Sequence, residues 1–420
     1  MLHNFGKKLH HSHIFPNTPL LCKSIKNDNH VGCRKENFST FAGLSPTTQF
    51  FMRRKSFTYP VTSLAGSTPG NIIKLLKIHR IEPGYYFKTA LSFIVAAIFT
   101  LFNLLENLFW GKRIRNFHFK EPPLFIIGFN RSGTTLLHNL LCQDPKAGYT
   151  TTLQTVFPHC VLTQKWWLGP VINFFVPSER PFDNVSMDVN FPQEEEFALA
   201  SLQLHSIYNF FLFPADFDWF IDNDYFTGAL PARDVDKWKK EYQRMVIKSL
   251  LNTKGVRYIS KNPQNIPRVE ILQELYPGAG FIFIYRDPYV VVESLYNFIH
   301  GIFPGVQLQK VPADFSRKNV ARFYSIAIQH YFKMKENPDS PSFYEIRMED
   351  FMKDKIGELR KIYSRFGLDG FEKSLPAFEA YLNGNPPSRH DPYKIHEETI
   401  QYVNLYASEI VAKLGYPIRK

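Results

Sequence analysis

The segment from Phe125 to Leu137 reads Phe-Ile-Ile-Gly-Phe-Asn-Arg-Ser-Gly-Thr-Thr-Leu-Leu, an apolar strand running into a glycine, then a second glycine, then an apolar helix. Glycines let successive backbone N–H groups converge on an anion, and the following helix adds the positive end of its dipole. Arg131 supplies a cation, and Ser132, Thr134 and Thr135 supply hydroxyl donors. A cradle built from Arg131, Ser132, Gly133, Thr134 and Thr135 fits phosphate or sulfate. A nucleoside-triphosphate loop would carry lysine at position 134, and an aspartate at the end of another apolar strand would hold magnesium. Thr134 occupies the lysine's place and no apolar strand ends in such an aspartate, which weakens a kinase or NTPase reading.

A second anion site is spelled by the run from Phe281 to Phe298. Arg286 ends a strand, Pro288 opens a helix, and Ser294 lies two helical turns on, so Arg286 and Ser294 face one ligand. With both motifs present in this order, residues 121–420 resemble the sulfotransferases that use 3′-phosphoadenosine 5′-phosphosulfate (PAPS). The resemblance implies a P-loop-like sulfotransferase fold, an α/β three-layer parallel sheet flanked by helices. It implies that the Arg131–Thr135 loop holds the 5′-phosphosulfate while Arg286 and Ser294 hold the 3′-phosphate. It further implies sulfuryl transfer by in-line displacement to a hydroxyl or amine acceptor, with no metal required. Fixed cations and N–H donors suit that chemistry, because charge develops on the equatorial oxygens and on the leaving phosphate.

Such a transfer needs a base, since an acceptor hydroxyl loses its proton as sulfur is attacked. In the resemblance, Tyr258–Asn265, Tyr-Ile-Ser-Lys-Asn-Pro-Gln-Asn, falls where cytosolic members carry Lys-Thr-His. Lys261 is retained, implying contact with the transferring group, but Pro263 stands where the histidine base would be. The chain therefore resembles the bacterial, glycan and protein-tyrosine branch, whose members often draw a glutamate from a region like the one where Pro192 and Gln193 lead into Glu194, Glu195 and Glu196. Carboxylates at a helix start also complement the helix dipole. Two of the three are read that way, and Glu194 is taken as the base, with Glu196 second. His138 reads as a packing residue and His159 as a candidate for the acceptor entrance. Arg389, with His390 and Tyr393, resembles the loop that closes over the nucleotide in related enzymes, which makes Arg389 a nucleotide ligand, although the cytosolic R-K-G-x-x-G pattern is missing. The aromatic run Tyr208–Phe220 reads as core, with an acceptor-pocket lining as the alternative.

The elements that must position these residues alternate in type. Short apolar runs at Leu124–Gly128, Arg257–Ser260, Phe281–Tyr285 and Phe343–Ile346 are each followed by a helical pattern, as in a parallel sheet. Ligands of such sheets sit beyond the carboxyl ends of the strands, where the Gly128 loop, the Lys261 turn and the Arg286 turn converge. Ahead of them, Thr89–Leu105 is free of charge for 17 residues, at the short limit for a spanning helix. Lysines and arginines flank it on both sides, and Trp110, Tyr85 and Tyr86 suit an interface. This N-terminal hydrophobic helix is read as membrane-attached, near residues 89–110, with a buried or interface-lying helix packed on the catalytic body as the alternative. Residues 1–81 hold 12 Lys and Arg against Asp28 and Glu36, so of the net charge of +12 only +2 remains for the rest. A near-neutral body argues against nucleic acid as a partner. Four cysteines without a C-x-x-C pair suggest neither a disulfide framework nor a zinc site. The expected organisation is a basic tail over 1–70, a membrane-associated helical segment over 71–120 and a sulfotransferase domain over 121–420. The acceptor stays open among small molecules, lipids, glycans and peptide tyrosines. A membrane scaffold that kept the fold but lost catalysis is the remaining alternative.

Overall fold

The structure, a computed structural model, describes residues 61–175, 188–385 and 394–420. Its centre is a parallel sheet in the order β2-β3-β1-β4-β5, formed by β1 Leu124–Ile127, β2 Ala147–Gly148, β3 Arg257–Lys261, β4 Gly280–Tyr285 and β5 Phe343–Arg347. Leu124 stands in register with Ile259 on one side and with Gly280 on the other. The helices that matter below are α1 Tyr86–Arg115, α2 Thr134–Leu141, α3 Val161–Phe175, α4 Glu195–Leu202, α5 Ala232–Thr253, α6 Pro288–Val306, α7 Arg317–Lys335 and α8 Glu397–Lys413.

All four side chains of β1 are buried, because helices cover both faces of the sheet and a continuous apolar run satisfies both. Phe125, Ile127, Phe281 and Phe283 pack into the core that also contains Tyr242 of α5, Val292 of α6 and Ala327 of α7. Leu124, Ile126, Ile282 and Ile284 face the opposite layer, where Leu137, Leu140 and Leu141 of α2 meet them. The expected three-layer α/β architecture is present. The four strands read from the sequence all form, and β2, with two residues, is too short to leave a pattern. Because β3 and β4 lie on opposite sides of β1, the chain reverses its direction of winding at the carboxyl end of β1, where an open α/β sheet places its crevice.

The apolar run before the sheet forms α1, a helix of 30 residues. One side of it is part of the body. Leu64, Ile72, Leu75 and Ala96 share a core with Phe125 and Ile127 of β1. Ser92 Oγ accepts the Thr62 N–H at 2.9 Å. Glu106, fully buried, accepts from the Leu162 N–H at 2.7 Å and pairs with Lys248 Nζ of α5 at 2.5 Å. The residue that ends the apolar run in the sequence is thus the one that fastens the helix to the body.

Candidate active site

The glycine loop is shaped by contacts that only glycine permits. Gly128 has φ +145°, and a Cβ there would stand 2.2 Å from the Ile284 carbonyl oxygen of β4. Gly133 has φ +95°, and a Cβ there would stand 2.2 Å from Met348 Sδ. Arg131 between them takes a left-handed φ of 71°, a conformation that costs a side-chain-bearing residue about 1–3 kcal/mol. That backbone turn aims the Arg131 side chain across the crevice. Its Nε–H donates to Ser294 Oγ of α6 at 3.1 Å, and its guanidinium lies 5.1 Å from the centre of the Phe298 ring, one turn further along α6. Ser132 and Thr134 are buried, and Thr135 is half-buried at the start of α2. The loop and the helix of the second motif therefore bound one site.

The entry to α6 is fixed by Asp287, whose carboxylate accepts the Tyr289 N–H at 2.9 Å, with Pro288 in the first turn. Arg286 is half-buried between the end of β4 and this cap, at the amino-terminal end of the helix that carries Ser294. Arg389, His390 and Tyr393 lie outside the described residues.

Glu194, Glu195 and Glu196 have different fates. The bond from Gln193 N–H to the Thr150 carbonyl, 2.8 Å, pins the segment ahead of α4 and leaves Glu194 as its N-cap residue, facing the crevice. Lys261 Nζ, at the carboxyl end of β3, donates to Glu194 Oε1 at 2.5 Å, and the Tyr208 hydroxyl donates to Oε2 at 2.5 Å. Asn130 of the glycine loop ties this pair to the cradle: its Nδ2 donates to the Tyr208 oxygen at 2.9 Å while its Oδ1 accepts from Gln264 Nε2 at 3.0 Å. Burial, and then the Glu194 carboxylate, push the Tyr208 phenol far up, so it keeps its proton and remains a donor.

Glu195 and Glu196 point into the protein. Glu195 accepts from Tyr242 OH at 2.5 Å, Ser260 Oγ at 2.5 Å, Asn265 Nδ2 at 3.0 Å and Tyr258 OH at 3.1 Å. Burial raises its carboxyl above the usual range despite these bonds. Glu196 forms a bidentate pair with Arg268 at 2.5 and 3.1 Å, both residues fully buried. Neither carboxylate is open to a substrate, so Glu196 does not serve as the second choice for a base.

The structure brings Lys261 to Glu194 and Arg131 to Ser294. Tyr208, Asn130 and Gln264 join them without having been singled out. Most of the aromatic run is core, with Phe210, Phe213, Phe217 and Phe220 buried, and Tyr208 is the member whose polar end reaches the crevice. Pro263, in the place of a histidine, opens a 3-10 turn over Pro263–Arg268 that sends Gln264 toward Asn130 and Asn265 toward Glu195. His159 stands with Lys248 and Arg244 beside the Glu106 pair, where burial pushes its imidazole down to about 3. Among the described residues no group of three or more His, Cys, Asp and Glu stands in a metal-holding arrangement.

His138 behaves as a packing residue. It is buried on α2, its Nε2 is 3.2 Å from the Ile259 carbonyl, and burial together with the Lys261 charge lowers it to about 3. The unfolded chain takes up a proton near the ordinary value of 6.5, which the native imidazole refuses down to about 3, so this residue makes stability fall as pH drops through that window. Between about pH 7 and about pH 5 the loss from His138 alone amounts to about 2 kcal/mol. In denaturant titrations at the two pH values, His138→Gln is expected to narrow its stability gap to the parent by that amount, and an unchanged gap would refute the assignment.

Comparison with known proteins bears on the fold and on the class of chemistry. A family model described as "Sulfotransferase family" matches residues 122–373. Among curated proteins, the omega-hydroxy-beta-dihydromenaquinone-9 sulfotransferases of Mycobacterium bovis and Mycobacterium tuberculosis are each 31% identical over 316 residues, spanning 74% of this chain and 80% of theirs. Among solved structures, a sulfotransferase from Mycobacterium avium superposes with a TM-score of 0.60 at 15% identity, covering 84% of this chain and 98% of that one. A sulfotransferase from Mycobacterium tuberculosis H37Rv gives 0.56 at 19% identity, covering 74% and 85%. At these identities the two structures speak to the fold alone.

Proposed function

Since the chain belongs to the sulfotransferase family and so transfers a sulfuryl group, we propose that its donor is PAPS and its acceptor a hydroxyl on an apolar, membrane-dissolved molecule. The observation that carries the donor reading is the contact between Arg131 and Ser294, which makes the two anion-holding motifs walls of one crevice. The residues present fit a donor with two anionic ends. The tight glycine turns, which exclude any Cβ, expose backbone N–H groups at the start of α2, while Arg286 and Ser294 share α6 and its entry. The acceptor reading draws on the lipid quinone named for the mycobacterial relatives and on the apolar helix α1.

The donor, when bound, supplies a sulfuryl group on a phosphate leaving group. Glu194 is the base. Lys261 and Tyr208 both donate to it, so the carboxylate is presented as an acceptor, and an incoming hydroxyl competes with Lys261 for Oε1. The acceptor's proton passes to that oxygen, and the Lys261 ammonium, released from half of its ion pair, neutralises charge developing beside the loop. Tyr208 is a positioning residue that fixes Oε2 through both states. Arg131 contributes fixed positive charge at the junction of loop and α6.

The test is calorimetric titration with 3′-phosphoadenosine 5′-phosphate, with adenosine 5′-phosphate and ATP for comparison. Arg286→Ala and Ser294→Ala are each expected to cost about 1–3 kcal/mol of binding to the 3′-phosphorylated nucleotide, the arginine more, and to shrink discrimination against the nucleotide lacking that phosphate. Variants that bind both nucleotides as the parent does would show the 3′-phosphate to be held elsewhere. Tighter binding of ATP would overturn the donor, and a labelled donor that marks no lipid in an extract would overturn the acceptor class.

A further inference from the structure

We infer that this protein lies on a lipid surface through a continuous face formed by α1 and α3, with α1 in the plane of the membrane instead of across it. The two sides of α1 differ in kind. Thr89, Ser92, Ala96, Glu106 and Ile114 are buried against the body. Phe87, Ile94, Ile98, Leu101, Leu105 and Leu108 recur at three-, four- and seven-residue spacings, which sets them in one stripe on the opposite side. Leu101 is 63% exposed and Leu108 75%. From Phe87 to Phe109 that stripe runs about 33 Å at the helical rise of about 1.5 Å per residue.

The second helix extends it. Phe99 and Phe102 of α1 pack on Trp167 of α3 with ring centres 6.5 and 5.9 Å apart, and α3 exposes Trp166 at 76%. An apolar stripe with neighbouring tryptophan suits the boundary between headgroups and acyl chains. Charge complementarity favours a lipid surface over a second copy of the chain. Lys112 and Arg115 continue the stripe at its carboxyl-terminal end, and Lys74 and Lys77 precede α1, all of them exposed. Repeated cations around an apolar strip match anionic headgroups and would repel an identical face.

Polar groups along the body side of α1 decide between lying and crossing. Asn107, exposed on α1, accepts from the half-buried Arg244 of α5, and Lys165 Nζ donates to Asn252 Oδ1 at 3.1 Å in the open. In a crossing helix this edge would enter hydrocarbon, where such groups are expensive. With α1 in the plane, the stripe meets the acyl boundary while that edge stays in water.

The inference rests on the geometry of α1 and α3 and not on the transfer reaction, so it is tested without turnover. It is also tested on the full chain, because removing α1 would strip buried Lys248 of Glu106. The purified chain is expected to sediment with phosphatidylcholine vesicles containing phosphatidylglycerol, and a variant carrying Ile98→Glu, Leu101→Glu and Leu108→Glu is expected to lose about 100-fold or more in partitioning. A second measurement uses single cysteines at Lys77→Cys and Lys120→Cys, on either side of α1, with Cys22 and Cys33 replaced by serine and buried Cys142 and Cys160 kept. In sealed membrane vesicles from expressing cells, both positions are expected to react equally with an impermeant maleimide. Labelling of one position only after permeabilisation would show that α1 crosses, and overturn the in-plane arrangement. Unchanged sedimentation of the glutamate variant, or a parent that ignores vesicles and forms a dimer which the variant dissociates, would overturn the lipid surface.

Discussion

Glu194→Gln is expected to lower kcat by about 100-fold or more while affinity for 3′-phosphoadenosine 5′-phosphate stays where it was. The amide keeps the size of the side chain, and its carbonyl oxygen still accepts from Lys261 or Tyr208, which hold Glu194 at 2.5 Å each. What it loses is the capacity to take a proton from the acceptor. That interaction exists in the transition state and not in the ground state, so the loss belongs in kcat and not in KM. Stopped assays over a range of acceptor concentrations separate the two, and calorimetry on the same preparation checks the nucleotide. Normal turnover by this variant would place the base elsewhere, with the family chemistry intact.

The residue types at the site were legible because the chemistry writes itself locally. Gly128 and Gly133 announce a turn at positive φ, and at Gly128 the 2.2 Å approach to the Ile284 carbonyl oxygen leaves no room for a Cβ. Arg286, Pro288 and Ser294 are spaced by the helix itself. The choice among the three glutamates was legible in part: a carboxylate at the N-cap points away from the helix that its successors enter, but the sequence does not say which of the successors is buried. That depends on Arg268 and on Tyr242, Tyr258 and Ser260, supplied by β3, by the turn after it and by α5.

Tyr208 stayed hidden for the same reason. In an aromatic run it looks like its neighbours, and only the contacts with Asn130 and Glu194 distinguish it. For α1 the sequence shows an apolar stretch but not its two sides. The charge of Glu106 reads as an interruption until Lys248 is seen beneath it. Long-range partners, and not local pattern, separate the residues that work in the crevice from those that hold it together.

Glu196→Gln should therefore act on the fold and not on the chemistry, destabilising the protein by about 3–5 kcal/mol. Glu196 and Arg268 have no exposed side-chain surface, and the guanidinium also lies 4.9 Å from the centre of the Trp238 ring. Neutralising the carboxylate leaves a full positive charge in a site that water does not reach, with only neutral acceptors around it: one amide oxygen at position 196, Thr227 Oγ1 at 2.8 Å and the side-chain carbonyl of Asn265. The cost is that of the abandoned charge and not the net worth of the pair. A double variant, Glu196→Leu with Arg268→Met, removes both charges and is expected to recover a large part of the loss, since a buried ion pair and apolar residues of similar volume are often close in free energy. Denaturant unfolding of parent, single and double variants measures the difference. If Glu196→Gln unfolds with the parent, the buried pair does not hold α4 to the turn after β3. If it folds normally and loses turnover, the carboxylate assigned to structure belongs to the chemistry, and Glu194 yields its place.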